Sequence, residues 1–232
     1  VNLAPSPLAG VSHSANAESP ALGDLDGDGD PDLVTLVTFG SVSFRFLENT
    51  GSRLRPSFVE RTGAESPVEG VPTGLSGGLP YPAQSATLFD IDGDGDLDLF
   101  GTRPGSIVTI AHLENSGNAG SPAFILRTGA ESPLTSVGTS VQGSKGIAFG
   151  DIDGDADADL VLGVPTGTSG EGADLLLFEN TGTRNNPAFI RRSGSANPFA
   201  AITFSANDQH QPATGRRSRL VLLQSHRFRA PW

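Results

Sequence analysis

The feature that most constrains the fold of this chain is a short acidic block that occurs three times. The blocks read Gly-Asp-Leu-Asp-Gly-Asp from Gly23, Phe-Asp-Ile-Asp-Gly-Asp from Phe89 and Gly-Asp-Ile-Asp-Gly-Asp from Gly150. Their first aspartates lie 66 and 61 residues apart. Self-similarity at such a period is typical of repeat architectures, in which one supersecondary unit is stacked several times.

A second set of shared residues fixes the extent of the repeating unit. Each acidic block is followed by Glu-Asn-Thr/Ser-Gly, then by a Phe 10 residues after that Glu, and by a Pro 9 residues after the Phe. Length varies only in Gly-, Ser- and Pro-rich stretches, which is typical of loop insertions between constant units. We therefore divide the chain into the end of a preceding unit (1–17), three full units (18–67, 68–133 and 134–198), the start of a fourth (199–215) and an atypical tail (216–232).

Within the first unit, the residue pattern predicts strands. Leu33–Phe39 is β-branched and almost continuously apolar, as a strand covered on both faces should be. Val42–Phe46 alternates, and Ser19–Gly23 and Ser57–Arg61 are further short candidates. We expect Asn49–Gly51 to close a hairpin through a positive φ angle. Each unit thus offers four short antiparallel strands.

Four strands at a period of about 60 residues resemble one blade of a β-propeller. The predicted fold is all-β, a partial propeller of about three and a half four-stranded antiparallel blades. Propellers typically have about four to eight blades, and an open arc leaves blade faces uncovered at both ends. We expect the chain to be a fragment of a longer protein. The alternative is that two copies associate to close a ring.

Composition excludes several classes of function. The 232 residues include 26 acidic and 15 basic side chains, which gives a formal charge of −11 and argues against nucleic acid as a partner. The chain has no Cys, so thiol catalysis and Cys-ligated zinc are excluded. No apolar run approaches the roughly 18 residues of a membrane span, and we expect no membrane insertion.

The acidic blocks have the pattern of a calcium-binding loop. Five aspartates occupy positions 1, 3, 5, 7 and 9, and a Gly stands at position 6 in the first two blocks. Alternating carboxylates turn inward together and supply the oxygens that Ca²⁺ prefers, while position 7 contributes its backbone carbonyl. The apolar residue at position 2 points away and anchors the loop. The candidate ligands are Asp24, Asp26, Asp28, Asp30, Asp32, Asp90, Asp92, Asp94, Asp96, Asp98, Asp151, Asp153, Asp155, Asp157 and Asp159.

Two other interpretations of these blocks are weaker. Solvated acidic turns would leave 15 of the 26 acids crowded without a counter-charge. An EF-hand or dockerin loop needs an acidic residue at position 12, where this sequence has Thr35, Gly101 and Leu162, and flanking helices that the sequence does not predict. About three Ca²⁺ ions would reduce the charge from −11 to −5. In the third block Ala156 replaces the glycine, and a positive φ there would weaken that site.

These residues carry a resemblance to a known family. Asp-h-Asp-x-Asp-Gly-x-x-Asp-h, with h apolar, followed by an apolar strand and a Glu-Asn-Thr-Gly turn, resembles the FG-GAP/VCBS repeat of the integrin-α-type propeller. The resemblance covers the chain up to about Gly215. It implies that each loop lies in the first hairpin of its blade and binds calcium structurally, through the aspartates named above. Members include adhesion receptors, lectins and domains attached to secreted enzymes, so the resemblance indicates fold and metal better than activity.

Other residue types point to structural roles. His13, His112, His210 and His226 do not recur between units, and we expect tolerated strand or loop positions rather than ligands. Since Glu48, Glu114 and Glu179 recur in every unit, we expect a role in the turn rather than in one active site. The recurring Phe58, Phe124 and Phe189 are expected to pack between blades, with a carbohydrate platform as the alternative. The insertions at 70–82 and 164–172 fit either blade-specific binding or passive linkers.

The tail departs from the repeat. Arg216 stands where the next aspartate belongs, and residues 216–232 hold 5 of the 14 arginines and no acid. The tail is either a basic segment for anionic surfaces or the product of a reading-frame slip, and we infer no function from it.

The predicted function is that of a calcium-binding propeller segment of a secreted or cell-surface bacterial protein, with a structural, adhesive or ligand-display role and no enzyme activity of its own. One alternative is a carbohydrate-binding lectin. Another is the non-catalytic part of a polysaccharide-degrading enzyme or phosphodiesterase. The expected partners are a carbohydrate or a cell-surface protein, and the remaining blades of the parent chain or a second copy.

Overall fold

The computed structural model describes residues 17–37, 42–73, 85–103, 109–137, 146–166, 172–202 and 204–205, together with Ser6 and Leu8. These residues form an all-β structure in which the only helical segments are single 3₁₀ turns, such as Gly63–Glu65 and Gly129–Glu131. The strands are β1 Ala17–Gly23, β2 Asp32–Val37, β3 Ser43–Asn49, β4 Phe58–Arg61, β5 Ser85–Phe89, β6 Asp98–Arg103, β7 Thr109–Asn115, β8 Phe124–Arg127, β9 Gly146–Gly150, β10 Asp159–Thr166, β11 Gly172–Asn180, β12 Phe189–Arg192 and β13 Phe204–Ser205.

The strands form three antiparallel sheets of one topology, in the order β1-β2-β3-β4, β5-β6-β7-β8 and β9-β10-β11-β12. The short β13 adds to the third sheet by pairing with β11. The acidic blocks connect the first and second strand of each sheet, which is the predicted position. The four predicted strands of the first unit are all present, and β3 continues three residues beyond Phe46 to include Leu47–Asn49.

Sheets stack face to face and bury two apolar clusters. Val34 and Leu36 of β2 pack with Leu99 and Leu113 of the second sheet, and all four side chains are fully buried. Phe100, on the opposite face of that sheet, packs with residues of the third sheet. The first strands also contact each other, β1 with β5 and β5 with β9. Because β6 is covered on both faces, its adjacent side chains Leu99 and Phe100 are both fully buried.

The residues predicted to pack between blades do so where a neighbouring sheet is present. Phe124 and Phe189 are buried in the first and second cluster, respectively, which confirms the prediction for them. Phe58, in the first sheet, is only partly buried. Position 2 of the acidic loops shows the converse effect at the other end of the stack. Leu25 and Ile91 are buried, whereas Ile152 is 40% exposed because no described residue covers the far face of the third sheet.

The predicted role of Gly51 in the turn after β3 is wrong in its physical basis. Gly51 does not have a positive φ angle. Glycine is needed there because the backbone of the turn comes too close for a side chain: a Cβ atom on residue 51 would lie 2.3 Å from the carbonyl oxygen of Arg55. Asn49 organises the turn, because its side-chain oxygen accepts hydrogen bonds from the N–H groups of Gly51 (3.2 Å) and Ser57 (3.0 Å). Gly117 and Gly182 are confined in the same way.

The recurring glutamates do not serve the turn, and the predicted turn role is wrong. Glu48 lies in β3, and its carboxylate accepts two hydrogen bonds from the guanidinium of Arg61 in β4, at 2.8 and 3.0 Å. Glu114 pairs with Arg127 and Glu179 with Arg192 in the same bidentate geometry, each 13 residues apart. Bidentate pairs of this kind fix the register of the outer strand. These glutamates therefore have the same structural role in every unit, which is to pair with an arginine of the next strand.

Several predictions fall on residues outside the described ranges. These include nearly all of the segment assigned to a preceding unit (1–16), the tail (216–232), His13, His210 and His226, and most of the 70–82 and 164–172 insertions. Within the described residues, no helix has the length and apolar character needed to cross a bilayer.

His112 is a polar residue in an apolar position. It is 2% exposed, stacks on Phe100 with ring centroids 5.1 Å apart, and neither ring nitrogen has a hydrogen-bond partner among the described residues. Burial lowers the pKa of His112 to about 4, so the folded protein holds the neutral imidazole. The equivalent positions hold Phe46 and Leu177. His112 therefore occupies a strand position in the core, at an energetic cost.

Replacing His112 by Phe is expected to stabilise the fold. At pH 7.5 the substitution removes an unpaired buried polar group, worth about 1–2 kcal/mol in the free energy of unfolding. Below pH 6.5 His112 becomes protonated in the unfolded wild type, whereas in the folded state it stays neutral down to about pH 4. Wild-type stability therefore falls over that window, and at pH 5 the advantage of H112F grows by on the order of 2 kcal/mol.

Urea unfolding of both proteins at pH 5 and pH 7.5 measures this difference. The reciprocal Phe46→His variant is the control and should lose stability, more strongly at pH 5. An H112F variant that is less stable than wild type at both pH values would show that the imidazole has a partner.

Candidate metal centres

Each acidic loop reverses direction through positive φ angles at two positions. Position 4 is a glycine in all three loops, and Gly27 has a φ of 74°. Position 6 is Gly29 (92°) and Gly95 (99°) in the first two loops and Ala156 (77°) in the third. The expected strained alanine is thus present. The glycine at position 4 is a second turn requirement that the sequence analysis did not identify, although its repetition in every block is visible.

The aspartate at position 1 organises the loop around its own carboxylate. In the first loop, Asp24 accepts hydrogen bonds from the N–H groups of Gly27 (2.8 Å) and Gly29 (2.9 Å), one on each oxygen. In the third loop, Asp151 accepts from Gly154 (2.6 Å) and Ala156 (3.2 Å) in the same way. These bonds turn the backbone inward, so the loop closes on a carboxylate.

The aspartate at position 9 ties the loop to the rest of the sheet. Asp32 is 1% exposed, and its two oxygens accept from the N–H groups of Leu25 (2.9 Å) and Asn49 (2.8 Å). Asp98 and Asp159 make the equivalent bonds. Asn49 is the residue that organises the turn after β3, so one buried carboxylate connects the start of the loop, its end and the next turn.

In each loop the structure gathers part of the predicted ligand set. Carboxylate oxygens within 4.8 Å of one another come from Asp24, Asp26 and Asp32 in the first loop, from Asp90, Asp92 and Asp94 in the second, and from Asp151, Asp153 and Asp159 in the third. Two oxygens that bind one Ca²⁺ at about 2.3–2.6 Å lie at most about 5 Å apart. The clusters therefore have the dimensions and the all-oxygen chemistry that suit a hard cation.

The other candidate carboxylates lie outside these clusters. They are Asp28 and Asp30 in the first loop, Asp96 and Asp98 in the second, and Asp155 and Asp157 in the third. Asp28 is exposed, and its carboxylate accepts from the N–H of Asp30 at 2.8 Å. The side chain of position 7 was not expected to bind, because its carbonyl is the predicted ligand there.

The electrostatics of the loops disfavour further negative charge. Burial raises the pKa of Asp32 to about 6 and that of Asp98 to about 7, and neighbouring carboxylates add to both shifts. Burial followed by the Asp94 charge likewise raises the pKa of Asp92. A group whose pKa is raised in this way is held ionised at neutral pH only at a cost, which a bound cation would offset.

The second loop receives side chains from the third unit. Arg184, in the turn after β11, places its guanidinium 3.2 Å from the Oδ2 atom of Asp90. The side-chain amide of Asn185 donates to the carbonyl oxygens of Asp92 (2.9 Å) and Gly93 (3.2 Å). Neither residue could be identified from the sequence, because only the stacking of sheets brings positions about 93 residues apart together.

Two segments of the chain match known family models. Residues 90–162 match the family model described as FG-GAP-like repeat, and residues 16–51 match the one described as FG-GAP repeat. The two matches together contain all three acidic loops. No curated protein matches the chain significantly.

Replacing Ala156 by Gly is expected to stabilise the third loop. An alanine with a φ of 77° carries about 1–2 kcal/mol of strain, and the greater freedom of Gly in the unfolded chain offsets part of the gain. The net increase in the free energy of unfolding should be about 0.5–1 kcal/mol, measured by urea denaturation in chelator.

Two matched variants test whether relief of backbone strain causes the gain in stability. Gly29→Ala should lose a similar amount, since a Cβ there meets no described atom within 4 Å and only the backbone angle is penalised. Ala148→Gly, in a strand with an ordinary φ angle, should be destabilising. An A156G variant that behaves like Ala148→Gly would contradict the strain argument.

Proposed function

Because this chain belongs to the FG-GAP repeat family, we propose that it is a calcium-binding segment of a propeller with a structural, adhesive or ligand-display role. FG-GAP repeats are generally structural, non-catalytic domains and are typical of extracellular or cell-surface proteins. Fold and family are common to many activities, so the argument for this role rests on the loops.

The observation that carries the proposal is the repeated gathering of three carboxylates at the first hairpin of every sheet. In the first and third loops these are positions 1, 3 and 9, and in the second loop positions 1, 3 and 5. The carbonyls at position 7, of Asp30, Asp96 and Asp157, would complete each set. The carboxylates at position 5 of the first and third loops and at position 9 of the second loop lie outside the clusters. They would bind the ion after small side-chain rotations or through a water molecule, as calcium loops allow.

Calcium would act here as a structural cation. The Asp at position 9 connects the loop to the turn after the third strand, so an ion at the loop stabilises that connection. Without an ion, burial and then the repulsion from neighbouring carboxylates raise the pKa values of Asp26 and Asp92. Binding that is specific to the folded loop adds its free energy to folding.

The ends of the stack favour further propeller blades as partners. Leu22, at the end of β1, is 64% exposed. Ile152, on the far face of the third sheet, is 40% exposed, whereas Leu25 and Ile91, which hold the same position in the first two loops, are buried by a following sheet. Apolar residues that are buried in two units and exposed in the last indicate a missing neighbour. We expect this neighbour to be another blade of a longer chain, and a second copy of this chain is the alternative.

A lectin role is a second candidate, favoured by one groove between sheets. It has a volume of about 520 Å³ and runs between the 3₁₀ turns that follow β8 and the turn before β12. Hydroxyl groups of Ser132, Thr135 and Thr181 line it beside the apolar Phe189 and Ile190. Thr135 and Thr181 donate their hydroxyl hydrogens to backbone carbonyls, so their oxygens would act as acceptors for the hydroxyl groups of a sugar ring. Binding of the folded chain on a glycan array would favour this role over a purely structural one.

Removing calcium is expected to lower the thermal stability of the chain. In excess chelator the Tm should fall by about 10 °C or more relative to millimolar Ca²⁺, because three ions bind only the folded state. Differential scanning fluorimetry across a calcium series measures this. Mg²⁺ serves as the control cation and should restore less stability, since its octahedral geometry suits these irregular loops poorly. A Tm that is equal in chelator and in calcium would contradict a structural metal.

A single substitution in a loop should remove one bound ion. Asp26→Ala removes a clustered carboxylate of the first loop and is expected to lower the calcium stoichiometry from three to two in calorimetric titration. Asp174→Ala removes an exposed carboxylate in β11, outside the loops, and is the matched control that should retain three. Equal stoichiometry in both variants would show that the first loop does not bind the ion.

A further inference from the structure

The second acidic loop is built differently from the other two. In the first and third loops, both oxygens of the position 1 carboxylate accept backbone hydrogen bonds from positions 4 and 6. In the second loop, Asp90 keeps only a long bond from Gly95 (3.3 Å). Its Oδ2 atom also accepts from Arg184, and its Oδ1 atom is buried with no hydrogen-bond partner within the described ranges.

The difference coincides with the side chains that face each loop from the following unit. Ala119 and Gly120 face the first loop, and a Cβ atom on Gly27 would lie 3.1 Å from the Cα of Gly120. The equivalent residues of the third unit are Arg184 and Asn185, which face the second loop. The first loop therefore meets bare backbone, whereas the second meets a positive charge and an amide donor.

The cluster geometry differs accordingly. The buried carboxylate at position 9 belongs to the cluster in the first and third loops, but Asp98 is outside the cluster in the second, where Asp94 takes part instead. An arginine next to a ligand carboxylate competes with a cation for that carboxylate and repels the cation.

We propose that Arg184 of the third unit is the residue that sets the calcium affinity of the second loop, making this loop a weaker site than the first. The inference rests on the proposed calcium-binding function. Calcium at the second loop either displaces the guanidinium from Asp90 or shares Asp90 with it, and both cost binding free energy. In calcium-free protein, Arg184 instead supplies the counter-charge that joins the third unit to the second.

The two roles are linked thermodynamically. Whatever stabilisation the Arg184–Asp90 pair gives the calcium-free state and loses when calcium binds, calcium affinity is lowered by the same factor. Arg184 is about half exposed, with 53% of its side chain accessible, so the effect is moderate and depends on salt. The second loop thereby responds to calcium at a higher concentration than the first, at the junction between the second and third units.

A calcium titration followed by ¹H–¹⁵N NMR tests this in the full chain, because the position 6 amides of Gly29, Gly95 and Ala156 report on the three loops separately. In Arg184→Ala, the calcium midpoint at Gly95 should fall by about three- to tenfold, the range expected for removing a partly exposed charge at a site. The midpoints at Gly29 and Ala156 should not change.

Arg53→Ala is the matched control, since Arg53 is exposed and holds the equivalent turn position in the first unit. It removes the same charge and should leave the Gly95 midpoint unchanged. If Arg184→Ala does not fold, Arg184→Gln removes the charge and keeps a side chain of similar reach. As a second measurement, R184A should lower the Tm in chelator more than in saturating calcium.

The outcomes separate this inference from the function on which it rests. An unchanged or raised midpoint at Gly95 in R184A, or an equal shift at all three loops, would overturn the role of Arg184 while leaving the calcium sites intact. A wild-type chain whose three amides do not respond to millimolar calcium would overturn the calcium proposal, and this inference with it.

Discussion

The structure depends on carboxylates that are held close together at the first hairpin of each sheet. Asp32, Asp98 and Asp159 are buried and bound by two backbone N–H groups each, so the chain cannot avoid their negative charge by exposing them. Carboxylates from positions 1 and 3 stand beside Asp32 and Asp159, whereas Asp98 lies outside the cluster of its loop. Such an arrangement is unfavourable without a cation among the oxygens, so the proposed metal binding would be coupled to folding.

Packing between sheets distributes this dependence along the chain. The apolar residue at position 2 of each loop inserts into the core between its own sheet and the next, as Leu25 and Ile91 show. The turn after the third strand of the following unit also contacts the loop. The backbone of Gly120 contacts the first loop, and the side chains of Arg184 and Asn185 contact the second. A loop is consequently shared by two units, and an ion bound there would stabilise the contact between sheets as well as one hairpin.

Much of the fold was predictable because the repeat aligns three independent copies of each pattern. The strands of the first unit, the place of the loops between the first two strands, and the buried Phe124 and Phe189 all follow from local periodicity and constant spacing. The positive φ of Ala156 followed from its alignment with Gly29 and Gly95. Errors arose where a residue acts through a partner: Glu48 binds Arg61 across two strands, and Gly51 is required by a close carbonyl rather than by its own φ angle.

The sequence by itself determined the repeating unit, its four strands and the crowding of aspartates in each first hairpin, because these features are local and recur at fixed spacing. Only the tertiary structure decided which carboxylates stand together, that Asp98 is outside its cluster while Asp32 and Asp159 are inside, and that Arg184 reaches Asp90. The physical reason is that short-range periodicity specifies strands and turns, whereas the distance between two charges in different units depends on how the sheets stack.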